Sequence, residues 1–226
     1  FVIALAWQSE YSLKRVPAFE WNREIYTSIA ALVTIDVATL IYFKIDIVML
    51  RHMTDKLDQV GYYAAASRIL EGVILMLMPF GTVLFRDLRL KAAEPGKLVL
   101  GTEKLLLLAG GAVVFIAPAG WFFGKDILVF CFGTSYANGQ EIIQWLFVTL
   151  VFMIPNLLLT QIALATNQEN RYAIGTCGAA LLNMALNLYL IPLYGAMGAV
   201  IGTIATEGFL TVFLAVVIFS WQTKQR

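Results

Sequence analysis

Histidine and cysteine are almost missing from this 226-residue chain. His52 stands alone, and Cys131 and Cys177 have neither CxxC spacing nor a histidine beside them. A zinc or redox centre needs several such ligands together, and a Ser/His/Asp site needs a histidine in the right company, so no metal site is expected and the cysteines read as small packing residues. Charge is sparse as well. Charged residues make up 14% of the chain, 16 basic against 15 acidic, and without a basic patch interleaved with aromatics nucleic acid is not an expected partner. There is no phosphate-binding glycine loop and no paired-Asp motif on a loop, and the polar connections are too short to hold a catalytic domain. The chain is not expected to be an enzyme or to carry a cofactor.

What remains is apolar. Hydrophobic residues make up 60% of the chain and the mean hydropathy is +0.77, more than a soluble domain of this size can bury. Uninterrupted apolar stretches near 25–50, 59–85, 99–123, 140–166, 171–191 and 195–219 each have the roughly 20 residues that a bilayer core of about 30 Å requires. The expected fold is all-α, a polytopic transmembrane bundle of about six helices. Pro79, Pro118 and Pro155 lie within spans and predict kinks. The glycines and alanines of the third and last spans predict close helix packing.

Lys14, Arg15, Arg23, Arg86, Arg89, Lys91, Lys97, Lys104, Arg171, Lys224 and Arg226 fall on one side of this topology, against Arg51, Lys56 and Lys125 on the other. The positive-inside rule makes the first side cytoplasmic, with the C-terminus there. The opening FVIALAW is too short to span and lacks the basic flank of a signal peptide. Residues 1–7 are read as the end of a preceding membrane helix, 8–24 as a cytoplasmic linker, 25–220 as the six-helix lobe and 221–226 as a cytoplasmic tail.

Against this apolar background six charged residues lie deep in spans: Asp36, Lys44, Asp46, Arg68, Glu71 and Glu207. Such residues are costly in a membrane and face a partner, a watery cavity or a substrate path. Lys44 and Asp46, two apart, point to different sides of their helix. Lys44 either snorkels to the interface or lines a cavity that meets an anionic group, and Asp46 caps or pairs with the neighbouring helix, with Arg51 or Lys56 as partners. Arg68 and Glu71, three apart, share a face suited to an ion pair, and the guanidinium fork of Arg68 also suits a pyrophosphate. These four are the substrate-path candidates. Asp36 and Glu207 are the ion-coupling candidates, for H+ or Na+, or else neutral hydrogen-bonded groups, Asp36 also being able to pair with Arg68. Asn156, Gln161, Asn183 and Asn187 are read as interhelical hydrogen-bond formers rather than sugar ligands.

Three stretches, 44–72 (KIDIVML…ASRILEG), 127–146 (ILVFCFGTSYANGQEIIQWL) and 163–208 (ALATNQEN…TIATEG), occur in order. Their Asp46/Gly61/Tyr63/Ala66/Arg68, Phe132/Gly133/Tyr136 and Asn187/Pro192/Tyr194/Gly195/Gly198/Ala199/Glu207 patterns resemble the polysaccharide flippases of the multidrug/oligosaccharidyl-lipid/polysaccharide exporter superfamily, the O-antigen translocases among them. The resemblance implies two pseudo-symmetric lobes around a central cavity, of which this chain would be the C-terminal one and a missing N-terminal lobe the other. It implies alternating access in the cytoplasmic membrane of a bacterium or archaeon, with lipid-linked oligosaccharide as the cargo and membrane lipids around it. A drug or cation exporter of the same superfamily and a non-transporting assembly subunit are the alternatives. The topology predicts that alkaline phosphatase fused after Arg226 is inactive while a fluorescent protein there is bright, with the reverse pattern for fusions in the loop after Thr54.

Overall fold

A computed structural model describes residues 23–91 and 95–225 of the chain; the expected helix remnant 1–7 and most of the linker 8–24 lie outside them. The described residues form α1 (Arg23–Met53), α2 (Leu57–Lys91), α3 (Pro95–Phe132), a 3-10 turn (Thr134–Gly139), α4 (Gln140–Val148), α5 (Leu150–Ala165), α6 (Glu169–Tyr194) and α7 (Ala196–Gln225), with no strand among them. Six segments are long and apolar enough to cross a membrane, the 3-10 turn, α4 and α5 together forming one of them. The protein is an all-α bundle of multi-pass character. Its outer surface agrees with that: Phe115, Phe122 and Phe130 of α3 and Met76 and Val83 of α2 stand exposed, in number and size unlike the surface of a water-soluble monomer.

The core lies around α4 and α5. Leu50, Leu128, Ile143, Leu146, Leu150 and Ile162 are fully enclosed where α5 meets α2, α3 and α7. On the other flank α6 packs against both α1 and α7. Successive spans alternate in direction, so the bundle has two ends. At one, Arg89 donates to the Ala165 carbonyl (2.8 Å) and to Asn167 Oδ1 (2.6 Å), and Ser28 donates to Glu169 (2.6 Å). At the other, the Ala196 amide donates to Gln59 Oε1 at 3.3 Å.

Two helices depart from the expected spans. α3 does not stop near Phe123 but continues past Lys125 and Asp126 to Phe132, and Gly124 lets its backbone close on Ile143 of α4 along the way; a Cβ at Gly124 would meet the Ile143 side chain at 2.8 Å. The fourth span is broken at Thr149. The Thr149 hydroxyl and amide both donate to the Leu146 carbonyl, while the Thr149 carbonyl receives the amides of Phe152 and Met153. Such a back-bonded threonine bends a helix, and Pro155 weakens the same stretch by removing the donor that the Val151 carbonyl would otherwise receive.

α6 turns into α7 within a single residue, Gly195, whose φ of 59° and ψ of −132° suit a residue without Cβ. One turn on, the two backbones touch: a Cβ at Gly198 would run into the Leu190 carbonyl and come within 2.8 Å of the Ile191 amide nitrogen. Gly198→Ala is expected to cost roughly 1–3 kcal/mol through this overpacking, whereas Gly110→Ala, with nothing within 4 Å of the added carbon, costs nothing measurable. Thermal unfolding of the two variants in detergent checks the difference.

Candidate functional site

The faces of α1 decide where its charges go. Ala31, Ile35, Ala38, Tyr42, Asp46 and Met49 are buried, spaced by three or four residues, and so form one stripe packed against α6. Asp46 belongs to that stripe. Lys44, two residues away, emerges on another face beside α2.

Within the stripe the Asp46 carboxylate collects hydrogen bonds from three helices. Tyr63 of α2 donates to Oδ2 at 2.7 Å, Thr203 of α7 donates to the same oxygen at 3.0 Å, and the Asn187 amide of α6 donates to Oδ1 at 2.6 Å. Asn187 also donates to Asn183 Oδ1 at 3.0 Å. Every donor is neutral. The expected partners Arg51 and Lys56 do not reach this site: both are exposed near the junction of α1 and α2. Asn187 Oδ1 and Asn183 Nδ2 are buried without a partner, so the cluster retains unused polar capacity.

Glu207, on the next turn of α7 after Thr203, repeats the pattern. Tyr42 donates to Oε1 at 2.9 Å and Asn156 donates to Oε2 at 2.7 Å. Tyr42 precedes Asp46 by one turn of α1, so the two carboxylate clusters are neighbours through that helix. Asn156 and Asn187 act between helices, as their sequence positions suggest. A carboxylate buried in a membrane beside neutral donors alone keeps its charge at a cost of several kcal/mol unless it takes up a proton or a small cation.

A third group lies on the open face. Glu71 bridges two cations, with Lys44 Nζ at 2.8 Å from Oε1 and Arg68 Nη1 at 2.9 Å from Oε2. One carboxylate shared by two cations leaves a net positive charge. The side chains are 41% (Lys44), 24% (Glu71) and 62% (Arg68) exposed, so both cations remain accessible. The anticipated Arg68–Glu71 pair is present, and Lys44 joins it across helices instead of snorkelling alone. Asp36 is in neither buried cluster: it is exposed and lines a groove of about 350 Å³ between α1 and α2, together with Phe43, Lys44, Glu71, Leu75 and Met78. Arg68 binds Glu71, not Asp36.

Sequence reasoning singles out the charges but not their neutral partners Tyr42 and Thr203, and it has Tyr63 only as a member of the resemblance pattern, with no role assigned. The buried stripe of α1 is the available signal: Tyr42 and Asp46 continue the spacing of Ala31, Ile35 and Ala38. Among the described residues no three His, Cys, Asp or Glu side chains form a metal-binding group. Comparison with known proteins returns no matching family model, curated protein or solved structure.

The different surroundings predict different mutational costs. Asp46→Leu strands three donors and is expected to destabilise the bundle by about 3 kcal/mol or more. Arg68→Gln removes one half-exposed pair and is expected to cost less than about 1 kcal/mol. Unfolding midpoints of the purified variants measure both.

Proposed function

We propose that the chain is one lobe of an alternating-access transporter that flips lipid-linked oligosaccharide across the cytoplasmic membrane, with its C-terminus on the cytoplasmic side. The observation that carries the reading is the accessible Lys44–Glu71–Arg68 cluster, net positive, at the edge of a largely apolar groove. A phosphate-linked headgroup needs cations that can exchange one carboxylate for another anion, and its lipid needs an apolar margin alongside. Both cations here share a single carboxylate, so an anionic group can displace Glu71 without leaving either cation unpaired. The three sequence stretches described above support the same family, and a second lobe facing α1 and α2 would close the groove into a central cavity.

The alternatives make different demands. In a non-transporting subunit the buried charges are neutralised in fixed pairs, yet Asp46 and Glu207 are bonded only by neutral groups. A cation exporter of the same superfamily is favoured by one feature, the exposed Asp36 in the groove. The uncompensated carboxylates suit coupling to an ion gradient under either transport reading.

The decisive experiment follows the sidedness of lipid-linked oligosaccharide in cells lacking the full-length protein, then supplied with wild type or Arg68→Gln at equal membrane abundance. Wild type is expected to relieve cytoplasmic accumulation. The variant is expected to be slower by roughly tenfold or more, the kinetic equivalent of one charge-assisted hydrogen bond of about 1.5–3 kcal/mol. Unchanged sidedness in the absence of the protein overturns the flippase reading.

A further inference from the structure

Between the buried Asp46 cluster and the Glu71 ion cluster lies a second, much smaller space of about 20 Å³, lined by Asp46, Tyr63, Ser67, Glu71 and Thr203, with Leu146 and Met153 among its apolar walls. A void of this size admits one water molecule, and it is polar enough to hold one, since a buried water needs two to four polar partners. Glu71 also lines the larger groove. The two spaces therefore share a wall made by Glu71 and Phe43, of which Glu71 is the ionisable member.

We propose that this chamber holds one relay water, and that through it Asp46 exchanges its proton with the groove at Glu71 rather than with either end of the bundle. The first link is in place. Tyr63 Oη lies 2.7 Å from Asp46 Oδ2 and 3.4 Å from Thr203 Oγ1, and a hydroxyl both donates and accepts. In the outward direction a protonated Asp46 gives its proton to Tyr63 Oη, Tyr63 gives its own to the chamber water, and that water gives one to Glu71 Oε. Each O–H bond broken is replaced by one formed, so Tyr63 and the water end unchanged, Asp46 is left as carboxylate and Glu71 as the acid.

The ionisable groups around this path come from three helices: Asp36, Tyr42 and Lys44 on α1, Tyr63, Arg68 and Glu71 on α2, and Glu207 on α7. Among the described residues α6 contributes only the amides Asn183 and Asn187 at this point, and α4 and α5 contribute the apolar Leu146 and Met153. Lys44 and Arg68 between them occupy both carboxylate oxygens of Glu71. An anion that takes over the two cations frees Glu71 to accept the proton from Asp46. The relay thus joins occupancy of the groove to the charge on Asp46. This last consequence rests on the transport reading, but the relay itself does not.

The test uses the full chain without substrate. In a background with Cys131 and Cys177 replaced, Ser67→Cys is treated with a small methanethiosulfonate, so that the chamber is filled only after folding. The infrared band of the protonated Asp46 carboxyl, identified by its loss in Asp46→Asn, is followed on transfer from water to deuterium oxide. Untreated Ser67→Cys should exchange like wild type, and the plugged protein should exchange about tenfold more slowly, the effect of roughly 1.4 kcal/mol on a barrier. Tyr63→Phe, which breaks the relay but leaves the chamber open, should be slowed as well. Exchange untouched by the plug, exchange untouched by Tyr63→Phe, or no Asp46 carboxyl band at any pH would each overturn the relay. The sidedness assay for transport is independent of all three results.

Discussion

A carboxylate inside a membrane, with no cation beside it, must be surrounded by donors from whatever helices come near, and in this bundle that requirement falls on Asp46. Its three hydrogen bonds reach α2, α6 and α7 from α1. They fix the rotation of all four helices at one level, because moving any of them strands a donor or an acceptor where water cannot replace it. The packing of small residues follows from the same need. Gly202 gives Asn187 room where a Cβ would press on its Oδ1 at 2.7 Å, and Gly198 lets α6 and α7 run close enough for Asn187 and Thr203 to meet the same carboxylate.

Charge is divided between two kinds of surroundings. In the interior, Asp46 and Glu207 are bound by hydroxyls and amides alone. On the groove, Lys44, Arg68 and Glu71 pair with one another while remaining accessible. The first arrangement has the chemistry to take a proton or small cation, the second the chemistry to take an anion. Set a few residues apart on α1 and α2, they give two sites with opposite preferences a shared boundary. That is the physical requirement for one ligand to influence the other without a large rearrangement between them.

The membrane helices are legible in the sequence because hydropathy and length are local properties. Where tertiary contact decides the outcome, the local signal falls short: α3 runs past its expected end to follow α4, and the fourth span breaks at Thr149. The Arg68–Glu71 pair is legible because three residues apart on a helix is a geometric statement. Lys44 with Glu71 is not, since residues 27 apart meet only through the crossing of α1 and α2. For Asp46 the helix is legible and the kind of partner is not. Charge suggests Arg51 or Lys56, whereas the 3–4 spacing of its apolar neighbours puts it inside, where long cationic side chains from the helix end do not follow.

α2 is tied down at both ends: Gln59 holds the start of α7 and Arg89 holds the turn between α5 and α6. A rod fastened at its ends yields where it is weakest, and in α2 that place is Pro79, whose ring removes the amide that would have bonded the Leu75 carbonyl. Leu75 and Met78 are walls of the groove. Any widening of that groove by α2 is therefore a bowing about Pro79 between two fixed points, which changes the width beside Glu71 while leaving the helix ends, and the loops they carry, where they are.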